Sequence, residues 1–230
     1  MNKIVTYILI TVIIYATLCL HYRCRMPLLM PGEMKQQFYK IAENFDKVCK
    51  EHGIKYYIIA GTLLGAVRHT DMIPWDDDMD VGILEDQLDK FNKIDFEKYG
   101  MRAKGVNRNN IGKVFILGKY DSGHKMESVF IDVFVMENKN GRYHYTQEYS
   151  KKTWPREYFL EGELFPLKRY KFGSVFLNGP AEYLPYCERA WSKNWMVPKP
   201  KVDKIFFYPL DAIKLSKMKT KIQPVIKLEN

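Results

Sequence analysis

The sequence lacks the cysteine patterns that support zinc-binding or disulfide-rich domains. Its four cysteines, Cys19, Cys24, Cys49 and Cys187, include no C-x-x-C pair, so we predict neither a structural zinc site nor a disulfide framework. It also contains no internal repeat and no Asn-x-Ser/Thr sequence for N-glycosylation. The length of 230 residues and the hydrophobic content of 47% are those of an ordinary globular domain, which excludes wholesale disorder.

Positive charge is unevenly distributed along the chain. The net charge is +9, and residues 193–230 hold nine lysines against three acidic residues. This region has no arginine, and the chain has no nucleic-acid-binding motif, so we expect no specific nucleic-acid partner. We predict a basic C-terminal tail over residues 198–230, which has the charge to meet anionic lipid.

The N-terminus contains an apolar run, Ile4–Leu20, that has no charged residue over 17 positions. A bilayer-spanning helix needs about 17–25 apolar residues, whereas a signal peptide has a core of about 7–15 and a small-residue cleavage site. We therefore predict an uncleaved membrane anchor over residues 1–22 and a linker over residues 23–33, with a cleaved signal peptide as the alternative. Basic residues flank the run almost equally, so their count does not set its orientation.

The rest of the chain predicts alternating helices and strands. Apolar residues at three- and four-residue spacing predict a helix over residues 33–52, and Gly53 follows as a stop signal. We predict strands at 56–60, 79–84, 111–118 and 128–136, and a hairpin at 171–180 with Asn178-Gly179 as its exit turn. We predict short helices after residue 61 with Thr62 as N-cap, at 85–94, and at 181–192 with an interruption at Pro185. This order predicts a mixed α/β or α+β domain over residues 34–197.

The stretch IPWDDDMDVGI, residues 73–83, crowds carboxylates against an apolar strand. On an extended chain Asp76, Asp78 and Asp80 point to one side, because side chains alternate between the two faces. Their like charges repel unless a cation lies between them, and oxygen ligands suit Mg²⁺ or Mn²⁺. The alternative is a solvated acidic loop.

A further carboxylate, Asp132, lies in the apolar stretch SVFIDVFVM, residues 128–136. A buried carboxylate is costly, so Asp132 must be paired, protonated or bound to a metal. If its strand lies beside the strand of Asp80, it completes a carboxylate cluster of the kind used in phosphoryl chemistry. A structural salt bridge is the alternative.

The stretch GTLLGAVR, residues 61–68, predicts an anion site. Gly61 permits close backbone approach, and the N-terminus of the following helix attracts an anion. Arg68 offers a planar fork for phosphate.

These motifs together resemble a known family. GTLLGAVRHTDMIPWDDDMDVGI closely resembles the signature of the LicD/fukutin phosphotransferases, which belong to the nucleotidyltransferase superfamily. FIDVFVM resembles the next motif of that family, and FPLKRYKFGSVFLNGPAEYLPYCERAWSKNW resembles its later region, with Cys187 at a position where relatives have glycine. The resemblance spans about residues 35–196.

The resemblance implies a nucleotidyltransferase-like fold, with a mixed sheet flanked by helices. It also implies a transferase activity. Family members transfer a phospho-alcohol, such as phosphocholine or ribitol phosphate, from a CDP-linked donor to a glycan acceptor. By motif, Asp78, Asp80 and Asp132 would be ligands of Mg²⁺ or Mn²⁺, and Asp76 would support the cluster or the acceptor. Gly61 and Thr62 would approach the donor phosphates, and Arg68 would orient them.

Two other functions stay open at this stage. One is nucleotidyl transfer, in which a nucleoside monophosphate moves, and the other is binding by a catalytically inactive, membrane-tethered protein. Because many glycan acceptors are lumenal, we expect a single-pass membrane protein whose domain faces the lumen of the endoplasmic reticulum or Golgi.

Overall fold

The computed structural model describes residues 3–25, 30, 32–117 and 129–197, with side chains described from residue 3 to 18 and from residue 32 onward within those ranges. The predicted basic tail, residues 198–230, and part of the predicted linker lie outside the described residues.

Two long helices open the described chain. Helix α1 covers Lys3–Arg25 and contains the apolar run. Among the described residues, no helix combines the length and apolarity needed to cross a bilayer, so the predicted anchor over residues 1–22 is not confirmed. Helix α2 covers Gly32–Glu51, close to the predicted bounds, and buries its apolar residues at helical spacing against the domain.

Seven strands form one mixed sheet, which confirms the predicted mixed α/β architecture. The order is β1-β2-β5-β4-β3, with β6 paired to β5 and β7 paired to β6. Only the pair β2/β5 is parallel among these described pairings. The strands are β1 Tyr56–Ile58, β2 Met79–Leu84, β3 Met101–Lys104, β4 Gly112–Ile116, β5 Phe130–Lys139, β6 Arg142–Tyr145 and β7 Phe159–Leu160.

The central strands β2 and β5 explain how apolar runs and carboxylates coexist. Met79, Val81 and Ile83 of β2 are buried, as the alternation of strand side chains predicts. In β5 the core residues Ile131, Val133 and Val135 are fully buried as well. Asp80 and Asp132 occupy the positions between them.

Shorter helices connect the strands. They are α3 Ala60–His69, α4 Leu88–Asn92, α5 Glu148–Thr153 and α6 Leu184–Trp191, together with 3₁₀ turns at Glu85–Gln87 and Phe96–Tyr99. The predicted N-cap role of Thr62 is wrong, because the residue before α3 is Ile59 and it makes no side-chain cap. The predicted interruption at Pro185 is also wrong: this proline lies in the first turn of α6, where its missing N–H is not needed.

A hairpin of β8, Lys168–Phe172, and β9, Val175–Gly179, covers the first helix of the domain. The predicted hairpin at 171–180 is therefore present, with its own turn at residues 173–174. The predicted exit turn at Asn178-Gly179 is wrong, because both residues belong to β9. Arg169 fixes the hairpin to α2, because its guanidinium binds both carboxylate oxygens of Asp46 at 2.5 and 2.8 Å.

Candidate active site

The predicted acidic residues meet near the N-terminal ends of β2 and β5. Asp80 and Asp132 are register partners in the parallel pair, and Asp78 lies just before β2. One carboxylate oxygen from each of these three residues lies within 4.8 Å of the others. Hard divalent cations take such oxygen ligands, so the donor set fits Mg²⁺ or Mn²⁺.

A second acidic group overlaps the first. Asp76, Asp77 and Asp78 also bring carboxylate oxygens within 4.8 Å of one another. Asp77 is exposed, whereas Asp76 and Asp78 line a cavity that also reaches Asp80 and Asp132. The three alternate aspartates thus line one cavity, and Asp77 lies beside them without lining it.

The electrostatics of Asp80 reflect this crowding. Burial raises the pKa of Asp80 well above its ordinary value, and the charges of Asp78, Asp76 and Asp132 raise it further. Like charges in a poorly solvated place disfavour ionisation. The crowding of these carboxylates therefore disfavours the ionised form of Asp80.

Asp132 has a cationic partner that the sequence did not reveal. Lys113 of β4 is its register partner across the antiparallel pair β4/β5, and the Lys113 ammonium forms a short contact with Oδ1 of Asp132. Burial raises the pKa of Asp132, while the bond and charge of Lys113 lower it. Lys113 also lies 3.6 Å from the ring centroid of Phe130. The salt bridge that we predicted as the alternative role of Asp132 therefore exists, and it lies within the carboxylate cluster.

The start of α3 positions two of the aspartates. A Cβ atom at Gly61 would lie 2.6 Å from Oδ2 of Asp76, so a larger residue would displace that carboxylate from its present position. Thr62 is buried, and its hydroxyl accepts a hydrogen bond of 2.7 Å from the backbone N–H of Asp80. Gly61 lines the cavity, and Thr62 instead fixes the backbone of β2 to α3.

Arg68 lines the same cavity and places a positively charged guanidinium there. Its guanidinium is buried, donates to the carbonyl of Trp195 at 2.9 Å and donates to Nε2 of His69 at 3.0 Å. Burial lowers the pKa of Arg68 to about 10, while the charges of Cys187 and Asp76 raise it, so it stays charged at neutral pH. Burial and the neighbouring Arg68 lower the pKa of His69 to about 4, which keeps that imidazole neutral.

The cavity has a volume of about 410 Å³. Besides the carboxylates and Arg68, its wall is largely aromatic, with Trp75, Phe134, Tyr145, Trp154, Trp191 and Trp195. This volume lies in the range of small-molecule sites.

Glu157 is a cavity residue that sequence reasoning missed. It lies in the loop between α5 and β7 and lines the cavity. Burial raises its pKa, while hydrogen bonds from the Tyr145 and Tyr186 hydroxyls lower it. The stretch WPRE around it has no helical or strand period, so only a residue-by-residue resemblance extending through this loop would have singled it out.

The structure therefore gathers most of the predicted site residues in one place. Six of the seven, namely Asp76, Asp78, Asp80, Asp132, Gly61 and Arg68, line one cavity. Thr62 does not line it. The placement of these residues is a geometric result, and their catalytic and metal-binding roles stay predictions.

Comparison with known proteins gives a family-level match. The nucleotidyltransferase domain described as LicD/FKTN/FKRP matches residues 53–182, a range that contains all the acidic residues of the cavity. An uncharacterised protein of Rickettsia prowazekii is 30% identical over 174 residues, which cover 74% of this chain and 60% of that protein.

Two relatives that are named for an activity are similar over shorter ranges. The lipopolysaccharide cholinephosphotransferase LicD of Haemophilus influenzae is 32% identical over 107 residues, or 42% of this chain and 40% of that protein. The human ribitol 5-phosphate transferase FKRP is 55% identical over 40 residues, or 17% of this chain and 8% of that protein. The match thus spans 60% or less of the length of each of these curated relatives.

Among solved structures, the complex of ANT(2″)-Ia with adenylyl-2″-tobramycin is similar with a TM-score of 0.44 and 13% identity. The match covers 80% of this chain and 92% of that chain. A similarity at this level carries no argument about the function of the present chain.

Proposed function

Because this chain belongs to the LicD/FKTN/FKRP nucleotidyltransferase-domain family, we propose that it transfers a phospho-alcohol from a CDP-linked donor to a hydroxyl group of a glycan acceptor. The alcohol would be of the choline or ribitol type, in line with the activities for which two relatives are named. The single observation that carries the proposal is the cavity in which Asp78, Asp80 and Asp132 converge near Arg68.

The reaction is a substitution at phosphorus. The acceptor oxygen forms a bond to the phosphorus that carries the alcohol, and the bond from that phosphorus to CMP breaks. CMP leaves with the electron pair of the broken bond. We assign the acceptor proton to the carboxylate of Asp76, which lines the cavity but is not in the group of three carboxylates formed around Asp132.

Asp78, Asp80 and Asp132 would hold Mg²⁺ or Mn²⁺. A bound divalent cation would offset the negative charge of the donor diphosphate. The carboxylates fit this role because burial and crowding raise the pKa of Asp80, and a bound cation would favour its ionised form.

Arg68 would bind a phosphate oxygen of the donor. Its guanidinium is charged, buried and held by the carbonyl of Trp195, so it is fixed before the donor enters. A planar guanidinium pairs well with phosphate. Positioning of this kind supplies much of the catalysis in phosphoryl transfer.

Nucleotidyl transfer is the second candidate, since the matching family domain is described as a nucleotidyltransferase domain. The same carboxylates would serve it, so the moving group separates the two reactions. A donor labelled differently in its nucleoside and its alcohol decides which label reaches the acceptor. An inactive binding protein is the third candidate. Binding alone does not require a cluster of carboxylates, which is costly to hold together, so we favour transfer.

The experiment that tests the proposal measures CMP release by the full chain from CDP-choline and CDP-ribitol with Mn²⁺. We expect release from at least one donor. Asp78→Asn and Asp80→Asn should abolish release without unfolding the protein, because each removes a carboxylate charge from a crowded cluster.

The matched control is Asp89→Asn. Asp89 lies in α4, is exposed, does not line the cavity and belongs to neither group of neighbouring carboxylates, so this variant should retain most of the activity. Near-normal CMP release by Asp80→Asn, or equal losses of release in all three variants, would show that the carboxylate cluster has no specific role in the reaction.

A further inference from the structure

A carboxylate bordered by aromatic rings forms a part of the cavity wall that the proposed transfer does not use. Tyr145 donates its hydroxyl to Oε2 of Glu157 at 2.6 Å, and the Tyr186 hydroxyl also bonds to Glu157. Each tyrosine contacts a tryptophan. The ring centroids are 6.1 Å apart for Tyr145 and Trp154, and 5.7 Å apart for Tyr186 and Trp191. Glu157 therefore lies between two aromatic pairs.

No cation of the described chain compensates this carboxylate. The groups that lower its pKa are the two tyrosine hydroxyls, and no ion pair joins it to a lysine or arginine within the described ranges. The nearby Lys151 pairs with Glu137, and Arg189 pairs with Glu163. A poorly solvated carboxylate without a cation is costly, so the wall favours a positively charged ligand.

A metal ion does not explain Glu157. Among the described residues, the two groups of carboxylates close enough to share an ion both exclude it. Its surroundings are hydroxyls and aromatic rings, whereas Mg²⁺ requires several oxygen ligands.

We propose that Glu157, Trp154 and Trp191 form a subsite for an organic cation, namely an alkylammonium group carried by the transferred alcohol. Aromatic faces attract such a cation within about 6 Å of the ring centroid, and the carboxylate supplies the opposite charge. A fully alkylated ammonium group neither donates nor accepts a conventional hydrogen bond, so it suits a wall that is largely aromatic. This inference rests on the proposed function and selects one donor class within it.

A polyol fits the same wall less well. Each buried hydroxyl needs a hydrogen-bond partner. The hydroxyls of Tyr145 and Tyr186 already donate to Glu157, and each tryptophan offers only one N–H donor. Ribitol hydroxyls could donate to the remaining lone pairs of Glu157, but the ring faces of Trp154 and Trp191 offer no comparable acceptor to its other hydroxyls.

The test compares three small molecules by titration calorimetry with the full chain. Choline carries the cation, 3,3-dimethylbutan-1-ol has the same shape without the charge, and ribitol is the polyol. We expect choline to bind at least about 10-fold more tightly than either neutral compound, since only choline gains the charge and cation–π attraction. Equal binding of choline and its neutral isostere, or tighter binding of ribitol, would overturn the subsite.

Variants identify the residues. Glu157→Gln should weaken choline binding by about 10-fold and leave the neutral isostere unchanged. The matched control is Glu161→Gln, because Glu161 is exposed and does not line the cavity. An equal effect of the two variants would overturn the assignment. Thermal unfolding checks that Glu157→Gln is folded, and if it is not, the comparison of choline with its isostere in the unmodified chain decides.

Donor turnover separates this inference from the proposed function. Faster CMP release from CDP-choline than from CDP-ribitol would support both. Faster release from CDP-ribitol would overturn the subsite and keep the transferase. Release from neither donor would overturn the transferase, and choline binding would then still decide the subsite.

Discussion

Replacing Lys113 by methionine should destabilise the protein through Asp132. The substitution keeps much of the aliphatic side chain and removes the ammonium that contacts Asp132. Asp132 then stays in a poorly solvated place without its cation. We expect the free energy of unfolding to fall at neutral pH.

The size of this loss follows from the exposure of the pair. Removing one partner of a buried ion pair costs about 3–5 kcal/mol, whereas an exposed pair contributes about 0–1 kcal/mol. The side chains of Lys113 and Asp132 are 38% and 13% exposed, so water screens one end of the pair. We therefore expect a loss of about 1–2 kcal/mol for Lys113→Met.

The pH dependence has a definite sign. Burial raises the pKa of Asp132 and Lys113 lowers it, so its folded-state pKa should rise further in Lys113→Met. A carboxyl whose folded pKa is raised destabilises the fold as pH rises from the unfolded pKa, about 3.9, through the folded pKa. The penalty of Lys113→Met should therefore be large at pH 7 and shrink towards pH 4.

Urea unfolding of single and double variants measures these effects. The double variant Lys113→Met/Asp132→Asn should lose less stability than the sum of the single variants by about 1 kcal/mol, because no unpaired charge remains. Lys139→Met, at the exposed end of β5, is the control and should stay within about 0.5 kcal/mol of the unmodified protein. Strict additivity, or a penalty that does not change with pH, would refute the reasoning.

Metal binding provides an independent readout at the same residue. The unmodified protein should gain stability from Mn²⁺ plus CDP, by about 2.7 kcal/mol at a ligand concentration 100-fold above Kd. Asp132→Asn should lose most of this gain. An equal gain in both would make Asp132 a structural partner of Lys113 and no metal ligand.

Four further predictions can be tested separately. Gly61→Ala should lower CMP release at least about 10-fold with the fold retained, because its Cβ would lie 2.6 Å from Oδ2 of Asp76; unchanged release would contradict this. Arg169→Met should lower the free energy of unfolding by about 2 kcal/mol, since it leaves Asp46 without the guanidinium; an unchanged urea midpoint would argue against that clamp. A variant that begins at Met34 should be soluble and retain CMP release, because every cavity residue follows it. The expected lumenal, membrane-bound location predicts that a C-terminal tag in sealed vesicles resists protease until detergent is added, and digestion without detergent would place the domain on the other side.

Local patterns predicted much of the core. The helical spacing of apolar residues predicted α2, and the alternation around Val81 predicted β2 with Met79 and Ile83 buried. These signals succeed because a helix and a strand each place residues of fixed spacing on one face. The same alternation predicted that Asp76, Asp78 and Asp80 share a side, and all three line the cavity.

Turn and cap chemistry was less predictable. Thr62 has the residue type of an N-cap, yet its hydroxyl bonds to the backbone of Asp80. Asn178-Gly179 has the composition of a turn, yet Gly179 lies in β9, where a Cβ would lie 2.5 Å from the ring of Tyr170. In both cases a tertiary contact outweighs the local preference of the residue.

The sequence by itself determined the family, the alternation of elements and the carboxylates that point into one space, because each follows from residue type and short-range spacing. Only the tertiary structure decided the neighbours of those carboxylates. Lys113 reaches Asp132 because β4 pairs with β5 in one register, and Glu157 reaches the cavity because two tyrosines from β6 and α6 hold it there. Strand pairing and loop packing join residues far apart in the chain, and no local period records which residues they bring together.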